Sequence, residues 1–174
     1  MSKVTLVTGG ARSGKSRFAE RMAESFDPMR GYLATGQAGD AEMAERIARH
    51  RGRRGGDWET VEEPLELTQA VTRMDGRYTV LLVDCITLWL SNLLFHCEGG
   101  AAEALQRVVG FTESFAALST PLIIVTNEVG MGIVPEHPLA RSFRDLAGEA
   151  NELIAARADE VYVTISGLPL KLKP

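Results

Sequence analysis

The chain has 174 residues, 45% hydrophobic and 24% charged, with a net charge of −4 and a pI of about 5.5. That length supports a full hydrophobic core, and the acidity argues against a general coat for nucleic acid while leaving room for a local basic patch. Two cysteines, Cys85 and Cys97, make neither a disulfide framework nor a four-ligand zinc site. Met1-Ser2-Lys3 runs straight into a strand-like segment with no signal pattern, and no apolar stretch is long enough to span a bilayer, so a cytoplasmic location is expected.

Val4–Thr8 reads as a short buried strand flanked by glycine. A glycine-rich turn follows, then a helix over Lys15–Ser25 with Phe18, Ala19, Met22 and Ala23 at helical spacing. Gly31–Thr35 predicts a second strand. Asp40 to about Arg54 predicts a helix with Asp40 as N-cap, ended by Gly52, Gly55 and Gly56. Trp58–Val61 is a third strand, and Pro64 opens a helix to about Met74. Tyr78–Asp84 is the strongest strand signal: apolar, β-branched and ending in a carboxylate. Ile86–Phe95 reads as helix, broken by Glu98-Gly99-Gly100; Ala101–Leu118 is an amphipathic helix and Leu122–Thr126 a buried strand. Asn127–His137 is a glycine-rich loop, Leu139–Ala158 a long helix and Glu160–Ser166 the last clear strand. Apolar strands alternating with helices predict an α/β fold, P-loop NTPase-like, in which a mostly parallel sheet carries helices on both faces. No repeat or linker divides the chain, so residues 1–174 read as one catalytic domain.

Gly9-Gly10-Ala11-Arg12-Ser13-Gly14-Lys15-Ser16 fits the pattern G-x-x-x-x-G-K-[ST] in full, between a buried strand and a helix. Small residues let backbone amides curl around phosphates, and the helix N-terminus favours an anion. Lys15 reaches the β- and γ-phosphates, and the Ser16 hydroxyl is a ligand for Mg²⁺. Asp84, ending its strand, reads either as a Mg²⁺ ligand or as a helix N-cap or strand-end turn residue, and its place at the carboxyl end of a parallel strand favours the metal.

Arg46, Arg49, His50, Arg51, Arg53 and Arg54 lie within nine positions. A solvated basic face or a nucleic-acid patch is the plain reading. On a helix, however, Met43, Ile47 and His50 share one stripe, which sets His50 with the apolar side and the arginines around it. His50 is then either a core histidine or a reactive one. Neighbouring arginines lower its pKa and bind phosphates, and a neutral imidazole attacks an α-phosphorus to give a phosphoramidate. His96 and His137 have weaker cases. Asn127 and Glu128 follow a strand's carboxyl end, where active-site work and loop scaffolding both fit.

The wording TGGARSGKS, the segments YLATGQ and EMAERIARHR, the strand region VDCITLWLSNLL and above all TNEVGMGIVPEHPLARSFRDLAGEANELIA together resemble one family. It is the bifunctional adenosylcobinamide kinase/adenosylcobinamide-phosphate guanylyltransferase of cobalamin biosynthesis, and the likeness runs from Val4 to Lys173. It implies phosphorylation of a hydroxyl of adenosylcobinamide by ATP or GTP. It then implies transfer of GMP from GTP to adenosylcobinamide phosphate through a histidine, a role that falls on His50, with Lys15 as the other catalytic group. It also implies that Gly9–Ser16, Ala34, Thr35, Gly36, Arg51, Gly52, Arg53, Arg54, Glu62 and Asp84 meet the nucleotide, with Glu62 suited to the guanine N–H groups. Ser16 and Asp84 would serve Mg²⁺, although some members carry glutamate where Asp84 stands. The family further implies a homotrimer with no nucleic acid and no membrane span. A simple small-molecule kinase and a non-catalytic nucleotide switch or RNA-binding module are the rival readings.

Overall fold

A strand that is apolar on both faces must be covered on both. β1 (Val4–Gly9) is buried at every position, and so is β5 (Leu122–Val125). In the computed structural model, which describes residues 2–36, 52 and 55–173, these strands are the middle of the sheet. The other elements are α1 (Lys15–Ala23), β2 (Arg30–Ala34), β3 (Trp58–Glu62), α2 (Leu67–Met74), β4 (Leu81–Asp84), α3 (Ile86–His96), α4 (Gly100–Ser114), α5 (Pro138–Arg157), β6 (Glu160–Ile165) and β7 (Leu168–Lys173). The strand order is β3-β2-β4-β5-β1-β6-β7. Every pairing is parallel except that of β7 with β6. The expected α/β fold with a mostly parallel sheet is therefore what the chain adopts. His50, Arg51, Arg53 and Arg54, and the helix expected over residues 40–54 apart from Gly52, lie outside the described residues.

Period-two alternation splits the core in two. Leu6, Leu33, Leu81, Val83, Leu122 and Ile124 face one side, where α2, α3, α4 and α5 pack. Val7, Tyr32, Val80, Leu82, Ile123 and Val125 face the other, against Ala19 and Ala23 of α1. Gly31 sits where a Cβ would come within 2.6 Å of a Leu81 methyl and 2.9 Å of the Met74 methyl, so a side chain there would force both methyls to shift.

Several boundaries shift for local reasons. The ladder of β4 starts at Leu81 rather than Tyr78, because Thr79 is pinned outside it: its N–H donates to Met29 O and its hydroxyl to Asp27 O. α2 starts at Leu67 rather than Pro64, since Glu63 Oε1 accepts from the N–H groups of Leu65 and Glu66 and makes a turn there. The helix expected to run to Leu118 ends at Ser114 and tightens to a short 3₁₀ turn over Phe115–Ala117. β7 is an element absent from the sequence reading. Ser166 and Gly167, with φ of 51° and 84°, form the two-residue turn that folds it back on β6, the left-handed pair that suits a tight hairpin.

Glu160 fastens this edge. Its carboxylate lies 2.9 Å from Lys3 Nζ and also accepts from Lys171 of β7. The Lys171 hydrogen bond, outweighing the opposing effect of burial and helped by Lys3, holds the Glu160 carboxyl below its usual value of 4.5. A lowered folded-state pKa means stability present above the unfolded pKa and lost as pH falls through the folded one. Wild-type protein should therefore lose stability on acidification below about pH 4.5, measured by urea unfolding at stepped pH. Glu160→Gln should flatten that part of the profile, and an unchanged acid slope would refute the assignment. In the core, Phe111 is fully buried with its ring edge-on to Trp89 and Phe115. Phe111→Ala should cost about 3–5 kcal/mol in the same unfolding assay.

Candidate active site

Parallel strands deliver their carboxyl ends to one edge, where an α/β sheet holds ligands. The register sets Glu62, Ala34, Asp84, Val125 and Val7 side by side across five strands. The phosphate loop rises just beyond Val7. Of the residues picked from the sequence, Gly9–Ser16, Ala34, Thr35, Gly36, Glu62 and Asp84 thus belong to one edge.

The loop is built as its composition requires. Gly9 has a φ of 153°, Arg12 of 57° and Gly14 of 94°. Gly14 is the N-cap of α1, so Lys15 and Ser16 open the helix. The loop closes on itself through Ser13 N–H to Gly10 O and Phe18 N–H to Gly14 O. Lys15 is buried, with Nζ donating to Gly10 O at 3.1 Å, which folds the ammonium over the loop.

Thr164 and Gly167 hold this loop from the far side, and sequence reasoning missed both. Ser13 Oγ and Thr164 Oγ1 lie 2.7 Å apart, buried, and Thr164 Oγ1 also donates to Thr8 O at 3.3 Å. Gly167, at the tip of the β6–β7 hairpin, donates its N–H to Ser13 O at 2.9 Å. The Ser-Gly pair between two β-rich runs was the available signal for a tight turn. Nothing local announced that its tip meets the loop more than 150 residues earlier.

Asp84 ends β4 with Oδ2 accepting the Tyr32 hydroxyl at 3.1 Å. It is not a helix cap: Cys85 holds the N-cap position of α3, with no side-chain cap bond. Thr35 is wholly buried and its hydroxyl is spent on Cys85, donating to the carbonyl at 2.7 Å and accepting the N–H at 2.9 Å. Its carbonyl accepts from Asn92 at 2.8 Å. Thr35 is therefore a clasp between β2 and β4, offering a ligand its place in the chain rather than its hydroxyl. A Cβ on Gly36 would come within 3.0 Å of Leu88. Glu62 is exposed at the end of β3.

Ser16 and Asp84 supply a hydroxyl and a carboxylate, hard oxygen donors of the kind Mg²⁺ takes when phosphates complete its shell. Among the described residues, no cluster of three or more His, Cys, Asp or Glu side chains could hold a metal by itself. Cys85 is buried and neither cysteine is in a disulfide. His96 is exposed, with Nδ1 2.8 Å from Asn92 O. His137 faces solvent and caps α5, its Nδ1 accepting from Leu139 N–H at 3.3 Å. Among the described residues no helix is long and apolar enough to cross a membrane.

Comparison with known proteins places this edge in context. Residues 5–172 match the family described as cobinamide kinase/cobinamide phosphate guanyltransferase. The chain is 46% identical over 173 residues to the bifunctional adenosylcobalamin biosynthesis protein CobP of Pseudomonas aeruginosa, covering 97% of this chain and 96% of that protein. It is 41% identical over 179 residues to the bifunctional adenosylcobalamin biosynthesis protein CobU of Escherichia coli, covering 97% and 98%. Among solved structures, an ATPase of a type III secretion system aligns with a TM-score of 0.58 at 11% identity, over 92% of this chain and 50% of that one. The P4 protein of bacteriophage phi6, solved with ADP, aligns with a TM-score of 0.50 at 16% identity, over 97% and 52%. Likeness at that identity speaks for the fold alone, and the fold is that of P-loop NTPases.

Gly9 gives the sharpest test of the loop. A Cβ there would stand 2.5 Å from Thr164 Oγ1 and 2.6 Å from both Ser13 Oγ and Thr164 O. Gly9→Ala should weaken binding of a fluorescent GTP analogue by at least tenfold, about 1.4 kcal/mol. Wild-type affinity in that variant would show that the loop does not form the phosphate cradle.

Proposed function

The chain belongs to the cobinamide kinase/cobinamide phosphate guanyltransferase family, and we propose that it performs both reactions in sequence: phosphorylation of adenosylcobinamide by ATP or GTP, then transfer of GMP from GTP to the product. The products of the second step are adenosylcobinamide-GDP and pyrophosphate. The observation that carries this reading is the fully formed loop Gly9–Ser16, set in a chain that resembles bifunctional relatives from end to end.

In the first reaction, the loop amides and Lys15 hold the triphosphate and stabilise the negative charge that builds on the transferred group. Ser16 and Asp84 would hold Mg²⁺, which when bound neutralises phosphate charge. Ala34, Thr35, Gly36 and Asp84 form the neighbouring wall, with Glu62 further along the edge to accept guanine N–H groups.

In the second reaction, a ring nitrogen of His50 attacks the α-phosphorus of GTP and pyrophosphate leaves with the electrons of the broken P–O bond. A phosphate oxygen of adenosylcobinamide phosphate then attacks the histidine-bound phosphorus, and the electrons of the P–N bond return to the imidazole. Gly52 and the arginines at 51, 53 and 54 would flank this phosphate; arginine suits planar, bidentate contact with it. The resemblance to the family, together with the chemistry of an imidazole among guanidinium groups, supports this assignment. The same resemblance supports a cytoplasmic homotrimer.

Two displacements through one histidine leave a trappable intermediate. Incubation with GTP labelled at the α-phosphate should give a protein-bound, acid-labile GMP adduct. The adduct should vanish in His50→Ala and persist in His137→Ala. Cobinamide phosphate without any adduct would reduce the protein to a simple kinase.

A further inference from the structure

A carboxylate stands beside the phosphate loop with no role in the scheme above. Glu128 follows β5 by three residues, and β5 lies between β1 and β4. Its backbone N–H donates to Gly9 O at 3.1 Å, which sets it against the first residue of the loop. Its Oε1 accepts the hydroxyl of Thr8, the residue before Gly9. The carboxylate is therefore tied to the loop's root from two directions.

The scaffolding around it is polar in an otherwise apolar interior. Asn151 of α5 accepts the Thr126 hydroxyl at 2.7 Å and donates to Asn127 O at 3.1 Å, with its Nδ2 3.5 Å from Glu128 Oε1. Thr87 of α3 accepts from the Asn127 backbone at 2.9 Å and from its side-chain amide at 3.0 Å. Three elements, β1, α3 and α5, thus contribute to fixing residues 126–128. Among the described residues, the hydrogen bonds that reach the Glu128 carboxylate fall on Oε1. A carboxylate anchored through one oxygen is positioned to receive a proton on the other.

We propose that Glu128 is the general base of the kinase reaction, an inference that rests on the functional reading above. The acceptor hydroxyl gives its proton to Glu128 Oε2. The oxygen's electron pair forms the new bond to the γ-phosphorus, the bond to the β-phosphate bridging oxygen breaks, and nucleoside diphosphate leaves. The second reaction uses an acceptor that is already an anion at neutral pH and needs no such base. Glu128 therefore separates the two activities.

The test uses the full chain with adenosylcobinamide, presynthesised adenosylcobinamide phosphate and GTP. Glu128→Gln keeps an acceptor for Thr8 and removes the base. It should lower kcat for phosphorylation by about 10²-fold or more, with KM for GTP within a few-fold of wild type and guanylyl transfer to the presynthesised phosphate unchanged. Glu128→Asp, which retains the carboxylate one methylene short, should be slowed less than Glu128→Gln. Kinase turnover by Glu128→Gln at the wild-type rate, or equal loss of both activities, would overturn the assignment, the second result marking a scaffold. Should Glu128→Gln fail to fold, the aspartate variant decides: a wild-type kinase rate or an altered guanylyl transfer rejects the proposal. If the wild-type chain itself makes no cobinamide phosphate, the functional reading falls first, and the two failures are told apart.

Discussion

The close approach of backbone to backbone at Gly9 is the constraint on which this molecule turns. The phosphate loop has to leave β1, curl, and enter α1 within a few residues, and it does so pressed against β6. Thr164 and Ser13 occupy the volume a side chain at Gly9 would need. The hairpin tip at Gly167 presses on the same loop near Gly14, where a Cβ would come within 3.2 Å of the Gly167 Cα. Shape here is enforced by contact from behind as well as by glycine's conformational freedom. A loop so braced keeps its amide groups aimed before a nucleotide arrives, which lowers the ordering cost of binding an anion.

The braced hairpin also carries an edge strand beside four exposed apolar side chains. Ile165, Leu168, Leu170 and Leu172 are each more than half exposed, an unusual expense for a small acidic protein. The Lys3–Glu160–Lys171 ion cluster and the three carbonyls of α5's end that receive Lys173 Nζ hold β7 in place. Losing the strand would loosen the tip that supports Ser13. The edge therefore supports the phosphate loop through the hairpin tip, whose Gly167 N–H donates to Ser13 O.

How far the sequence revealed this depends on whether a residue's neighbours were local. The β1–loop–α1 unit was legible because its sequence signals lie within twenty residues: a buried strand, small residues and a helix start. The parallel sheet was legible for the same reason, since continuous apolar runs such as those of β4 and β5 have no other stable setting. β7 was not, because LPLKLK alternates with its leucines turned outward and contains a proline, which demotes a strand signal to an edge or to none. Thr164 and Asn151 were invisible because their meaning comes from partners far off in the chain. Asp84 could be placed but not dissected, since its hydrogen bond to Tyr32 depends on the neighbouring strand.

Two chemistries on one loop require that different phosphorus atoms of a triphosphate be addressed from one cradle. A kinase step exposes the γ-phosphorus to a neutral hydroxyl; a guanylyl step exposes the α-phosphorus to an imidazole. The sheet edge separates the base proposed for the acceptor hydroxyl from the carboxylate proposed for the guanine. Glu128 lies at β5, beside the root of the loop, whereas Glu62 stands at the end of β3, the far edge strand in the row β3-β2-β4-β5-β1. Strands spaced by about 4.8 Å put roughly 14 Å between β3 and β5, which is more than the span of a triphosphate's reacting centres. In the scheme proposed above, the acceptor approaches the γ-end beside β5, while the base of the nucleotide is read toward β3. His50, which that scheme assigns to the α-phosphorus, belongs to the stretch of sequence between β2 and β3.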